Sequence, residues 1–302
     1  MDELLQKYIR YLEVERNISR LTVRNYTADV KSFLDYLGDI GIDSPASVKR
    51  STMRRYLGWL HDRGIARGSI SRKLSALRSF YRYLMREGLV DSEPLSTLSS
   101  PKKAKRLPTF LTHGEMAKLL TAPDSSTPQG LRDRAILELL YATGLRVSEI
   151  VSLDLKDIDT GSRQIIVWGK GSKERMVLMG KPAVQALELY LKQARPGLEG
   201  KTDTQAVFLN RFGGRVVERR IQHIIKKYAR KAGLDMRVFP HIMRHTFATH
   251  LLDGGADLRS VQDLMGHAQL SSTQVYTHVT QSQIRRKYLA AHPRSSTGKG
   301  EE

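Results

Sequence analysis

The chain of 302 residues contains no cysteine. That absence excludes disulfides, a cysteine nucleophile and thiolate zinc sites, and it suits a reducing compartment. Nor is there an apolar run approaching the roughly 18 residues of a membrane-span candidate. The start, Met1-Asp2-Glu3, lacks a basic region followed by an apolar stretch, so no secretory signal is read. No fixed-period repeat or low-complexity tract occurs. Acidic residues are in short supply, 31 against 50 Lys and Arg, which leaves a formal net charge of +19. Such an excess speaks of partners rather than fold. With a membrane disfavoured, the composition points to nucleic acid in the cytoplasm.

The apolar fraction of 40% is enough for a sizeable core. In the first ninety residues apolar side chains recur at spacings of three and four: Leu4, Leu5, Tyr8, Ile9 and Leu12, then Val23, Tyr26, Val30, Phe33, Leu34 and Leu37. Further sets follow at Met53, Tyr56, Leu57 and Leu60, and at Ile70, Leu74, Leu77, Tyr81 and Leu84. Ser19 is a candidate cap for the second set, and Ser51 and Ser69 precede the third and fourth. Strict alternation is absent, so this part reads as a small helical bundle. From Ser92 to Pro108 breaker residues dominate, and residues 101–109 carry four basic and no acidic residues. This stretch is a linker. Its Lys102, Lys103, Lys105 and Arg106 suit contact with phosphates, beside the plainer reading of a solvated, charged connector.

Beyond it, Thr112-x-x-Glu115 makes a capping box and a helix is expected over 131–142. Gln164–Trp168 and Arg175–Leu178 read as short strands joined at Gly169-Lys170-Gly171-Ser172-Lys173. Helices are expected over 182–194, 215–232, 241–253, 257–265 and 281–290. The resulting expectation is a mainly α fold with a small β-sheet. Its parts are an N-terminal helical domain over 1–91, a basic linker over 92–109, a mixed α/β domain over 110–294 and a disordered tail over 295–302.

Three segments could carry chemistry: Ala142-Thr143-Gly144-Leu145-Arg146-Val147-Ser148-Glu149-Ile150, His241-Ile242-Met243-Arg244-His245-Thr246-Phe247-Ala248-Thr249-His250, and Gly266-His267 followed by Thr273-Gln274-Val275-Tyr276-Thr277-His278. A zinc helix would need Glu directly after the first histidine, where Ile242 stands, so no metal is expected. His245, His250 and His278 read as structural histidines. Breaking a phosphodiester without metal requires charge compensation at the non-bridging oxygens. Two arginines, permanently charged and fork-shaped, supply it. Arg146 at a glycine turn and Arg244, three residues after His241, fit that role. His267 offers a further hydrogen-bonding group. Tyr276 offers a hydroxyl that forms an ester with phosphate and leaves again readily. A lone tyrosine among 12 is more often a core residue; the ordered combination is what singles Tyr276 out.

That combination resembles the tyrosine recombinase (phage integrase) family, and within it the Xer-type chromosome-dimer resolvases, over nearly the whole chain. The resemblance implies a core-binding, SAM-like helical domain and a catalytic domain forming a C-shaped clamp on double-stranded DNA. It assigns Tyr276 as nucleophile of a 3′-phosphotyrosyl intermediate, and Arg146 and Arg244 as holders of the non-bridging oxygens. Lys170 becomes the proton donor to the 5′-oxygen, with Lys173 as rival, His241 an aid to proton transfer, and His267 a hydrogen-bond donor to the phosphate. Glu149 is expected to support the fold or orient an arginine. No cofactor, ATP or metal is implied. Residues 69–86, with Arg72, Lys73, Arg78 and Arg82, form either a groove-reading helix or an ordinary solvated face. The last helix, with Ile284, Tyr288 and Leu289, resembles a segment that docks on a neighbouring protomer. Expected partners are a homo- or hetero-tetramer on two sites, a second Xer recombinase and a septal DNA translocase, at the nucleoid. The alternatives are a mobile-element integrase or transposase or a relaxing type IB topoisomerase with the same chemistry, and a non-catalytic DNA-binding protein.

Overall fold

The computed structural model describes residues 1–16, 18–96, 110–168, 174–200, 204–234, 238–265 and 288–295. The chain divides into two compact units, Met1–Arg106 and Leu107–Glu302.

In the first unit, α1 (Asp2–Arg10) runs into a π-helical turn at Tyr11–Glu15, followed by α2 (Arg20–Asp39), α3 (Arg50–Asp62) and α4 (Arg67–Arg86). Their inward faces carry the apolar sets read from the spacing, with Tyr8, Phe33, Tyr56 and Leu77 fully buried. Ser19 caps α2 by accepting the Thr22 N–H. Helices α3 and α4 begin before Ser51 and Ser69; Lys49 and Ala66 stand at their N-caps and give no side-chain cap. Helix α4 ends at Gly88, whose φ of +67° suits a residue without Cβ.

In the second unit, α5 (His113–Thr121) opens with the Thr112–Glu115 capping box. Helix α6 (Pro128–Thr143) starts earlier than its apolar pattern suggests, because Thr127 caps it and Pro128 occupies the first turn. It is buried on nearly every side and is the axle of this unit. Its charged residues are matched in place. Arg132 donates to Asp133 at 2.7 Å and to the Leu209 carbonyl at 2.9 Å, and Arg294 pairs with Glu138. Helix α7 (Val147–Ser152) follows. Strands β1 (Ile158–Asp159), β2 (Gln164–Trp168) and β3 (Glu174–Leu178) form one antiparallel sheet in sequence order, with Ile166 opposite Met176. The helix expected over 182–194 is α8 (Lys181–Leu189) passing into a π turn at Tyr190–Ala194, and α9 (Arg195–Glu199) continues it. Helices α10 (Glu218–Lys231), α11 (Pro240–Asp253) and α12 (Leu258–Met265) follow.

Of the C-terminal segment expected to dock on a neighbour, Ile284 lies outside the described residues, while Tyr288 to Ser295 pack on the second unit of their own chain. Tyr288 is buried and donates to the Ala142 carbonyl at 2.9 Å; Ala291 packs with Leu178, Phe247 and Leu251. Ser295, expected to open the tail, is also buried and donates to the Leu289 carbonyl. The apolar groups of this segment are satisfied by the groove beside Gly180 and Gly254, where any Cβ would strike the Arg294 or Ala291 carbonyl.

Candidate active site

Helix α6 must stop sharply to set up the first arginine. Gly144 does this with φ +60°, and the Thr143 hydroxyl, bonded to the Leu139 carbonyl, accepts the Leu145 N–H. Arg146 then stands at the N-cap of α7 in extended backbone. Glu149, one turn on, accepts its backbone N–H at 2.7 Å and its Nη1 at 3.1 Å. Glu149 also accepts a two-pronged contact from Arg175 on β3, Nη1 to Oε1 at 2.8 Å and Nη2 to Oε2 at 2.9 Å. Burial works against the Glu149 charge, but the Arg175 and Arg146 hydrogen bonds and charges outweigh it and hold the carboxyl below its ordinary value. The Arg146 side chain remains 46% exposed while Glu149 is 7% exposed. A fixed carboxylate thus anchors a guanidinium that still faces solvent.

Arg244, in the second turn of α11, donates Nη1 to the Gly144 carbonyl and Nη2 to the Met265 carbonyl. It therefore joins the α6–α7 turn to the end of α12. Burial first, and the neighbouring Arg146 charge second, lower its pKa to about 10, which leaves it charged at neutral pH. Arg146 and Arg244, almost a hundred residues apart in the chain, thus share one corner of the unit. His241 is exposed on the first turn of α11, one turn before Arg244.

His250 behaves as a structural histidine. It is buried, its Nδ1 lies 2.8 Å from the Tyr141 hydroxyl, and its ring stacks on His113 at 3.8 Å. His245 is half-buried against the edge of Phe110. Lys170, Lys173, His267, Tyr276 and His278 lie outside the described residues, as do Lys102, Lys103, Lys105 and Arg106.

Two surfaces change the view of basic residues. On α4, Arg72 is committed to the buried carboxylate of Asp29, and Lys73 reaches the same group at 3.3 Å. Both hold α4 to α2, so the face offered for groove reading is narrower than its charge suggests. Arg82 stays exposed, its Nε on the Arg78 carbonyl. Helix α10, by contrast, buries Ile221, Ile224, Ile225 and Tyr228 and presents Arg219, Arg220, Lys226, Lys227, Arg230 and Lys231 outward. Among the described residues no ion pair engages any of these six. Spacings of seven and four, 219–226–230 and 220–227–231, put them in two adjacent rows. That periodicity stood in the sequence and is the signal that finds this surface. Arg175 carried no such signal: it is one arginine in a short strand.

A helical N-terminal unit and a mixed unit with a paired-arginine corner define a class, and comparison supplies its name. Residues 5–88 match the "Phage integrase, N-terminal SAM-like domain", and residues 109–283 match the "Phage integrase family". The chain belongs to the phage integrase family, the tyrosine recombinases, and is a DNA strand-exchange enzyme. Within that family it is similar to recombinases named XerC and XerD. It is 47% identical over 300 residues to tyrosine recombinase XerC of Pelotomaculum thermopropionicum, covering 96% of this chain and 98% of that one. It is 41% identical to tyrosine recombinase XerD of Staphylococcus epidermidis, covering 98% and 100%. In fold it resembles the XerH site-specific recombinase solved on its palindromic difH substrate after cleavage, with a TM-score of 0.70 at 22% identity, covering 94% of this chain and 84% of that one.

Proposed function

We propose that this chain is a site-specific recombinase that cleaves and rejoins double-stranded DNA through Tyr276, resolving chromosome or plasmid dimers at a dif-like site. The observation that carries the proposal is the corner shared by Arg146 and Arg244, two guanidinium groups held by backbone and by Glu149. Such a corner binds the two non-bridging oxygens of a phosphodiester and follows the charge that grows on them. The Tyr276 oxygen attacks phosphorus, the bond to the 5′-oxygen breaks, and a 3′-phosphotyrosyl ester forms. Lys170 gives its proton to the departing 5′-oxygen, while His241, one turn from Arg244, helps remove the tyrosine proton. His267 hydrogen-bonds the phosphate. The 5′-hydroxyl of a partner strand then attacks the ester and releases Tyr276, so one phosphate ester replaces another and the chemistry requires neither ATP nor metal.

In this reading the basic residues of 101–109 and those on the exposed face of α10 contact duplex phosphates. The enzyme acts as a tetramer on two sites at the nucleoid, alone or with a second Xer recombinase, under the control of a septal DNA translocase. Incubation with a nicked suicide substrate, followed by denaturing electrophoresis, tests it. The expected result is a covalent protein–DNA adduct that Tyr276→Phe abolishes. No adduct with any member of a library of duplex sites overturns it.

A further inference from the structure

We propose that Arg175 is a positioning residue for phosphodiester cleavage: by occupying both oxygens of Glu149 it keeps the Arg146 fork free for the scissile phosphate. The inference rests on the cleavage reading above.

Glu149 is held among more cations than it needs for neutrality. Arg175 approaches it side-on, one nitrogen to each oxygen, and its side chain is only 17% exposed. Arg146 makes a single side-chain contact with the same carboxylate. A bidentate guanidinium–carboxylate pair is the strongest geometry open to either partner. While Arg175 holds it, Arg146 cannot. Remove Arg175 and the buried carboxylate is left short of a cation, with Arg146 the nearest fork able to swing onto it. The phosphate would lose that fork to Glu149. The charge of the corner would change as well. Arg146, Arg175 and Arg244 against Glu149 leave two net positive charges, enough to meet a dianionic transition state; without Arg175 one remains. The three arginines sense one another, since both Arg146 and Arg175 weaken the proton affinity of Arg244. Arg175 itself faces Glu149 and not the site where phosphate would bind, so it acts through its neighbours.

The test uses the full chain and single-turnover cleavage of two suicide substrates. One has an ordinary scissile phosphate. The other has a methylphosphonate there, with one non-bridging oxygen replaced by a methyl group and its negative charge gone. Arg175→Gln should slow cleavage of the phosphate about a hundredfold, the scale of losing one charge-stabilising donor. On the methylphosphonate the loss should be under about fivefold. Adding Glu149→Gln to Arg175→Gln should recover part of the lost rate, because no carboxylate then competes for Arg146. Rates are referred to the fraction of molecules able to form adduct, so a partly unfolded variant does not distort them. Arg175→Lys, which keeps the charge without the fork, serves if the glutamine variant does not fold and should show the same direction of contrast to a smaller extent, since only the two-pronged hold on Glu149 is lost. An equal loss on both substrates overturns the inference and leaves the cleavage reading standing. Failure of the unmutated chain to form adduct on any duplex overturns the cleavage reading, and this inference with it.

Discussion

His292 shows how strongly a single environment can bias a titratable group. Its ring lies among Tyr288, Tyr141 and Phe247, and its Nδ1 accepts the Arg294 N–H at 3.1 Å. Burial, with smaller effects from His250 and Arg294, lowers its pKa to about 3. In the unfolded chain it titrates near 6.5. Between those values the unfolded state binds the extra proton, so stability rises with pH through the window and falls as pH drops below about 6.5. One proton amounts to about 1.4 kcal/mol per pH unit. His250, also lowered chiefly by burial, adds in the same direction. Thermal denaturation from pH 7 to 5 should show this decline, and His292→Phe should flatten it. An unchanged slope in the variant would mean that His292 is accessible in the folded protein. None of this was legible from composition, because a histidine near the end of a chain carries no mark of what will cover it.

Elements were legible where one face is apolar and the other polar. The bundle helices and α10 to α12 follow their three- and four-residue spacing closely. The pattern served less well where burial is complete: α6, apolar or paired all round, has no polar face to mark its start. The six-residue α7 is too short for periodicity to register. Its placement depends instead on Gly144. A Cβ there would meet the Phe247 ring at 2.4 Å, and φ +60° disfavours any side chain. Gly144→Ala should therefore cost about 2–4 kcal/mol, against about 1–2 kcal/mol for Gly88→Ala, where φ is similar and space is open. Cleavage should fall further than the melting temperature implies, because the Gly144 carbonyl also orients Arg244. The C-terminal segment has its own glycines. Gly180→Val places a Cβ 1.7 Å from the Arg294 carbonyl and should expel residues 288–295. Limited proteolysis should then remove the C-terminus faster than from the unmutated chain, while the β2–β3 sheet stays protected.

For the molecule as a whole, the sequence displayed the ordered arginines, histidines and tyrosine, but not the division of labour among its 50 basic residues. Charge alone cannot separate a cation serving the fold from one awaiting a phosphate; only its partners do. Arg72 and Lys73 pair with Asp29, and Arg132 with Asp133, whereas the outer rows of α10 make no ion pair among the described residues. Contact with duplex phosphates releases counterions, so log Kd depends on log salt with a slope near 0.9 per phosphate. Substituting Lys226 and Lys227 together by Gln should weaken binding to duplexes of any sequence alike. It should also lower the slope by about one to two units. Arg72→Gln should do the reverse: it frees a buried carboxylate, lowers the melting temperature of the N-terminal unit, and leaves the slope within about half a unit of the parent. Fluorescence anisotropy across a salt series, beside a melting curve for each variant, separates the two outcomes. If the Arg72 variant instead lost slope and kept its melting temperature, Asp29 would not be its partner on DNA, and Arg72 would count among the cations that meet phosphate.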